Sequence, residues 1–337
     1  MSRERPILFR RFPQAVEHIP WVPLGTLPTP VQPLPDLSAR LAPASLFIKR
    51  DDCSARRYGG NKVRALEFLL GQALAVGAER VITAGALASH HVLATALFAR
   101  EVGLGAEAVL WERPSAPGGP EALRLLARLG VPVRRCAGPV GALLTLIGRW
   151  VALRARGQRA YLVPPGGASA RGALGFVEAA LELGEQIAAG AAPAPASLWI
   201  ACGTGASTAG LLVGLPLAGI EARVRAVCVT PPIACSHSRL RHLVAGARRL
   251  LAQAGVPSAS EAALAPLELL RGYAATGYGQ PRQAASAAVA LLAAAGIVGE
   301  TTYTGRAVAA LVNHAAAEAG VHLFWHTLPA ASLPPVD

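Results

Sequence analysis

Lysine is almost missing from this chain. Its 337 residues include 32 basic side chains, yet lysine stands only at positions 49 and 62 and arginine supplies the rest. Charge of either sign is scarce, at 15% of residues against 53% hydrophobic. That balance excludes a disordered chain and allows a large core. Much of the apolar count is alanine, which buries little area per residue. Acidic residues number 20, leaving a net charge of +12. An excess of this size points to nucleic acid only where it is clustered. Here the arginines are scattered, and the densest group, Arg239, Arg241, Arg248 and Arg249, fits one solvated helix face. No nucleic-acid partner is expected.

Other absences narrow the field further. The five cysteines form an odd set without a CxxC spacing, which argues against a zinc site or a disulfide framework. Reduced thiols and no metal are expected. The first twenty residues lack the apolar core of a signal peptide, so a cytoplasmic location is expected. Residues 187–220 carry no formal charge and are long enough to span a bilayer. They also contain Pro193, Pro195 and Pro216 and the polar Thr204, Ser207 and Thr208, so a buried strand, a glycine loop and a helix explain them better than a membrane span.

What is present reads as alternation. Strand-like runs at 46–49, 81–83, 106–111, 131–135, 161–163, 198–202, 224–229 and 321–326 alternate with helical patterns at 63–74, 87–101, 121–129, 149–153 and 172–187. Such β–α order predicts an α/β fold with mostly parallel sheets and helices on both faces. The length exceeds what one core usually serves, so two lobes are expected. The proline-rich stretch 23–35 reads as a wrapping arm, and the uncharged tract 283–299 as a buried helix followed by a strand.

The chemistry concentrates in three segments. Gly59-Gly60-Asn61-Lys62 places a lysine after a tight turn at the start of a helix. The positive end of the helix dipole disfavours its charged form, which helps make a nucleophilic amine. A surface lysine after a turn is the plainer alternative, weakened by the rarity of lysine here. Cys202-Gly203-Thr204-Gly205-Ala206-Ser207-Thr208-Ala209-Gly210 follows a strand and opens a helix, offering N–H groups and hydroxyls to a phosphate. Ala209 leaves it one glycine short of a nucleophile elbow. The third segment is Gly85-Ala86-Leu87-Ala88-Ser89-His90-His91, which reads on its own as a capping serine with two exposed histidines.

Taken in order, these segments resemble the D-cysteine desulfhydrase and 1-aminocyclopropane-1-carboxylate deaminase family of fold-type II pyridoxal-phosphate enzymes, of the tryptophan synthase β-like type. The resemblance runs from about residue 24 to 327. It includes Lys49-Arg50-Asp51-Asp52, the Gly59-Gly60-Asn61-Lys62 turn with its helix, Pro165-Gly166-Gly167-Ala168, Gly277-Tyr278-Gly279-Gln280-Pro281, Tyr303-Thr304-Gly305 and His326-Thr327.

The resemblance implies a pyridoxal 5′-phosphate cofactor held as a Schiff base on Lys62. It implies that Ser89 binds the substrate carboxylate and that Tyr278 and Tyr303 touch substrate. Asn61 and His90 would lie at the cofactor, Gly203, Thr204, Gly205, Ala206, Ser207 and Thr208 would hold its phosphate, and Thr327 would face the pyridine nitrogen. It further implies a homodimer acting on a small amino acid, with a large lobe of residues 1–54 plus 163–337 and a small lobe of 55–162. The active site would lie between them.

The implied activity is α,β-elimination on D-cysteine or another β-substituted alanine, giving a 2-keto acid and ammonia. Thr304 stands where the deaminase branch has a glutamate, which favours the desulfhydrase side. Departures exist: Ser89-His90-His91 replaces Ser-Asn-His, Ala206 replaces a glycine, Leu328-Pro329 replaces Gly-Gly, and Glu300-Thr301-Thr302 replaces Asp-Pro-Val. Ring-opening deamination, and cofactor binding with altered or lost catalysis, stay open at this level.

Overall fold

The computed structural model describes residues 5–112, 118–256, 263–274 and 280–329. The chain enters through α1 (Ile7–Arg11), β1 (Val31–Pro33), α2 (Pro35–Arg40), β2 (Ala44–Arg50) and α3 (Lys62–Ala75). It continues through β3 (Arg80–Ala86), α4 (His90–Glu101), β4 (Gly105–Trp111), α5 (Gly119–Arg128), β5 (Val133–Cys136), α6 (Pro139–Ala155) and β6 (Ala160–Leu162). Then come α7 (Ala170–Ala188), β7 (Ser197–Cys202), α8 (Ala206–Leu217), β8 (Arg223–Cys228), α9 (His237–Gln253) and β9 (Leu267–Leu270). It closes with α10 (Gln280–Ala294), α11 (Thr304–Ala315) and β10 (Gly320–His326).

Two sheets result. One has four parallel strands in the order β5-β4-β3-β6, and the other has six in the order β1-β2-β10-β7-β8-β9. In the larger sheet only β1 runs antiparallel, at the edge. The mostly parallel α/β architecture predicted by the alternation is therefore what forms.

Both faces of each sheet are apolar because alternate residues enter different cores. In the large sheet Leu198, Ile200, Leu323 and Trp325 pack with α7, α8 and α9. Their neighbours Trp199 and Phe324 pack instead with Leu292 of α10 and Ala307 and Leu311 of α11. In the small sheet Val81, Ala108 and Leu110 join α3, α4 and α5, whereas Ile82, Ala84 and Val109 join α6. Helix α3 serves both cores: Phe68 belongs to the large-sheet core, and Leu66, Leu69 and Leu70 to the small.

Its first turn is anchored by a buried charge cluster. Arg64 donates from Nε to Asp51 Oδ2 at 2.8 Å and from Nη1 to Glu182 Oε2 at 2.9 Å. Trp325 Nε1 also donates to Asp51, at 2.8 Å. Lys49 Nζ sits 2.5 Å from Glu182 Oε1 and donates to the Thr29 carbonyl at 2.6 Å. Buried charges persist only when paired and hydrogen-bonded, and here each partner is supplied by a different element.

Two expectations need correction. The helix predicted from residue 87 begins at His90, because Ala88 takes a left-handed φ of +64° and breaks the helical path. The tract 283–299 forms α10 but no strand follows, and over this tract the helix buries only the row Ala285, Ala288 and Leu292. It lacks charge because it is alanine-rich, not because it is buried. The proline-rich arm contributes β1, where Pro33 is tolerated at a sheet edge. The short edge strand β9 had no clear signal in the sequence.

Candidate active site

Lys62 is the first residue of α3, after the Asn61 N-cap. Its Nζ donates to the Gly166 carbonyl at 3.3 Å. Burial pushes its ammonium down to about 8, so desolvation, rather than the helix dipole invoked from the sequence, is the main cause. Lys49 is no competitor. Its amine is held by Glu182, the Thr29 carbonyl and Gln186 Oε1 at 2.5–2.6 Å.

Asn61 joins three of the predicted site segments. Its Nδ2 donates to Ser207 Oγ at 3.1 Å, and its backbone N–H donates to the Thr327 carbonyl at 3.1 Å. Ser207 lies in the first turn of α8, whose N-cap Gly205 has φ +91°, a conformation glycine reaches without strain. The Thr208 hydroxyl in the same turn is buried without a hydrogen-bond partner among the described residues. Free N–H groups at a helix start, with hydroxyls of this kind, form a donor set that fits a phosphate.

The remaining walls close on this point. Gly166 has φ +69° and abuts Thr204: a Cβ at Gly166 would stand 2.4 Å from Thr204 Oγ1. The ring of Tyr303 covers Gly203, with Cε1 3.3 Å from where a Cβ would be. Tyr303 is fixed from behind by Glu300, whose carboxylate accepts from the N–H groups of Thr302 at 2.5 Å, Tyr303 at 2.7 Å and Thr304 at 2.9 Å. The sequence showed Glu300 only as a departure. Its signal was an acidic residue immediately ahead of a helix start.

Ser89 is the N-cap of α4, yet its side chain accepts no capping hydrogen bond, so capping does not account for it. The strained Ala88 precedes it. His90 Nδ1 lies 2.5 Å from the hydroxyl of Tyr58, which sequence reasoning passed over. Burial lowers the His90 value, with Glu300 opposing and Lys62 adding to the shift, so its ring is neutral. His91 is not an exposed residue. Its Nε2 meets Thr83 Oγ1 at 2.9 Å, and burial pushes it down to about 3. Tyr278 lies outside the described residues. Lys62, Asn61, Ser207, Thr204, Gly203, Tyr303 and Thr327 are thus linked by direct contacts, and His90 feels the charge of Lys62.

Residues 22–327 match the family model described as pyridoxal-phosphate dependent enzyme. The chain belongs to that family. A D-cysteine desulfhydrase of Klebsiella pneumoniae (strain 342) is 39% identical over 309 residues, covering 89% of this chain and 90% of its own. A D-cysteine desulfhydrase of Salmonella choleraesuis (strain SC-B67) is 38% identical over 298 residues, 85% of each chain. The crystal structure of an ACC deaminase homologue superposes with a TM-score of 0.81 at 30% identity, over 97% of this chain and 95% of its own. A fungal L-serine ammonia-lyase from Rhizomucor miehei, at 19% identity and a TM-score of 0.62, shares the fold over 92% of this chain and 96% of its own. The family's cofactor is pyridoxal 5′-phosphate, and the α8 turn with the buried Lys62 amine fits it. No described helix is long and apolar enough to cross a membrane.

Proposed function

We propose that this protein is a pyridoxal-phosphate lyase that carries out α,β-elimination on D-cysteine or a similar β-substituted alanine, releasing ammonia and a 2-keto acid. One observation carries the reading: the desolvated, half-buried Lys62 amine is tied through Asn61 to the phosphate-type start of α8. The desulfhydrase relatives direct it to D-cysteine.

When bound, pyridoxal phosphate supplies an electron sink for charge developing at Cα of an amino acid. Lys62 is the residue to carry it covalently, and its amine, largely neutral above about pH 8, is suited to take the Cα proton. Ser207, Thr208 and Thr204, with the backbone of Gly203, Gly205 and Ala206, would hold the phosphate. Thr327 would partner the ring nitrogen, and its hydroxyl, unlike a carboxylate, would not force protonation there. Asn61 and His90 would hold the ring. Ser89 binds the substrate carboxylate, and Tyr303 and Tyr278 assist departure of the β-substituent, which for D-cysteine is sulfide.

We also propose the lobe division 1–54 plus 163–337 against 55–162, with the site in the cleft between them. The assembly is proposed as a cytoplasmic homodimer. Helix α6 supports it, exposing Val140, Leu143, Leu144, Ile147 and Val151 along one stripe that a two-fold axis would pair with its copy.

The test is a spectrum of the purified protein followed by an amino-acid screen for keto-acid release. Visible absorption lost in Lys62→Ala, with sulfide and keto acid formed from D-cysteine, is expected. Turnover of 1-aminocyclopropane-1-carboxylate instead would assign ring opening, and absorption without any turnover would remove the lyase reading. Tyr303→Phe should keep fold and absorption while losing about 10²–10⁴ in rate. Wild-type elimination by that variant would reduce Tyr303 to packing.

A further inference from the structure

Two side chains beside Lys62 form a pair that the roles above leave unexplained. The Tyr58 ring is 1% exposed, directly ahead of the Gly59-Gly60-Asn61-Lys62 turn. Its hydroxyl is 2.5 Å from His90 Nδ1, and the two ring centroids are 6.1 Å apart. A hydroxyl buried this deeply costs free energy unless it is hydrogen-bonded, and an imidazole nitrogen is the strongest acceptor within its reach. A neutral imidazole carries one proton. If Tyr58 donates to Nδ1, that proton stands on Nε2. Among the described residues Nε2 has no hydrogen-bond partner.

We propose that Tyr58 is a positioning residue that fixes His90 as its Nε2–H tautomer, so that an imidazole N–H is presented to an oxyanion bound beside Lys62. The groups acting on His90 agree. Tyr58 is held protonated by burial, and His90 stays neutral because burial and the Lys62 charge outweigh Glu300. Without Tyr58 the ring can place its proton on Nδ1 and turn a lone pair to the same oxyanion. The inference rests on the cofactor reading for the source of that oxyanion, which is either the cofactor's ring oxygen or the substrate carboxylate.

The test labels the histidines of the full-length holoenzyme with ¹⁵N and assigns His90 by its loss in His90→Asn. The wild type should show a protonated Nε2 and a bare Nδ1, whereas Tyr58→Phe should show mixed tautomers and a raised His90 titration point. A protonated Nδ1 in the wild type overturns the proposal, and needs no variant to fold. Tyr58→Phe should lower turnover roughly tenfold, the worth of one oriented hydrogen bond. The same change in a His90→Asn background, where the amide is a donor without help, should cost little. An equal loss in both backgrounds would make Tyr58 a packing residue. A shift of the visible band in Tyr58→Phe names the cofactor oxygen as the acceptor, and a rise in KM with an unchanged band names the substrate carboxylate. A protein with no visible band would fail the cofactor reading while leaving the tautomer result standing.

Discussion

Gly166→Ala probes the site most directly, because this residue touches both halves of the chemistry. Its carbonyl accepts from Lys62 Nζ at 3.3 Å, and its Cα faces Thr204. The added methyl meets two separate penalties. The backbone stands at φ +69°, and an L-residue there costs about 1–2 kcal/mol. The Cβ would also lie 2.4 Å from Thr204 Oγ1 and 3.0 Å from its Cγ2, so the threonine must swing away from the α8 turn.

If Thr204 Oγ1 holds the phosphate, losing a hydrogen bond to a charged group costs about 1.5–3 kcal/mol, or roughly ten- to a hundredfold in cofactor retention. Gly103→Ala separates the two penalties, since Gly103 has φ +78° and nothing within 4 Å of an added Cβ. Both variants should lose the backbone cost in urea titration, Gly166→Ala losing more through its clash with Thr204, and only Gly166→Ala should lose cofactor on dialysis, followed by its visible absorbance. Equal retention in the two variants would refute the placement of the phosphate against Thr204.

Three further outcomes follow from the geometry. Uptake of pyridoxal phosphate by cofactor-free protein should rise with pH and reach half its maximum rate near pH 8, where burial places Lys62; a midpoint near 10.5 would mean an exposed amine. Glu182, held at about 2 by Arg64 and Lys49 despite its burial, stabilises the fold fully above its ordinary 4.5 and loses that contribution as pH falls through 2. Glu182→Gln removes the carboxylate that pairs with Lys49 and leaves Arg64 with Asp51 alone, so denaturation at pH 7 should register a loss of about 3 kcal/mol, and a loss below about 1 would show that the cluster is dispensable. Leu144→Arg places a charge on the α6 stripe and should convert a dimer to a monomer in sedimentation with little change in melting temperature; an unchanged mass would move the interface elsewhere.

Two residues show where legibility ended. Lys62 could be read from the sequence because its signal is local: a tight turn, a helix start, and scarcity of its kind. Tyr58 could not, since its importance comes from a histidine 32 positions away that only packing brings within 2.5 Å. The same limit hid the burial of His91, whereas the reach of Glu300 over the next four residues is local and its signal lay in the sequence.

The sequence alone determined the parallel α/β architecture, because strands buried on both faces must be apolar throughout and that pattern is visible residue by residue. It also determined the lysine, the glycine turn and the phosphate-type loop, whose physics lies within a few bonds. Tertiary structure decided which of two lysines has a free amine. The turn before Lys62 marked it as a candidate, but the fold shows that three partners from elsewhere enclose the Lys49 amine, whereas among the described residues the Lys62 amine meets a single carbonyl. Desolvation and pairing depend on what surrounds a group in three dimensions, and no window along the chain contains that information.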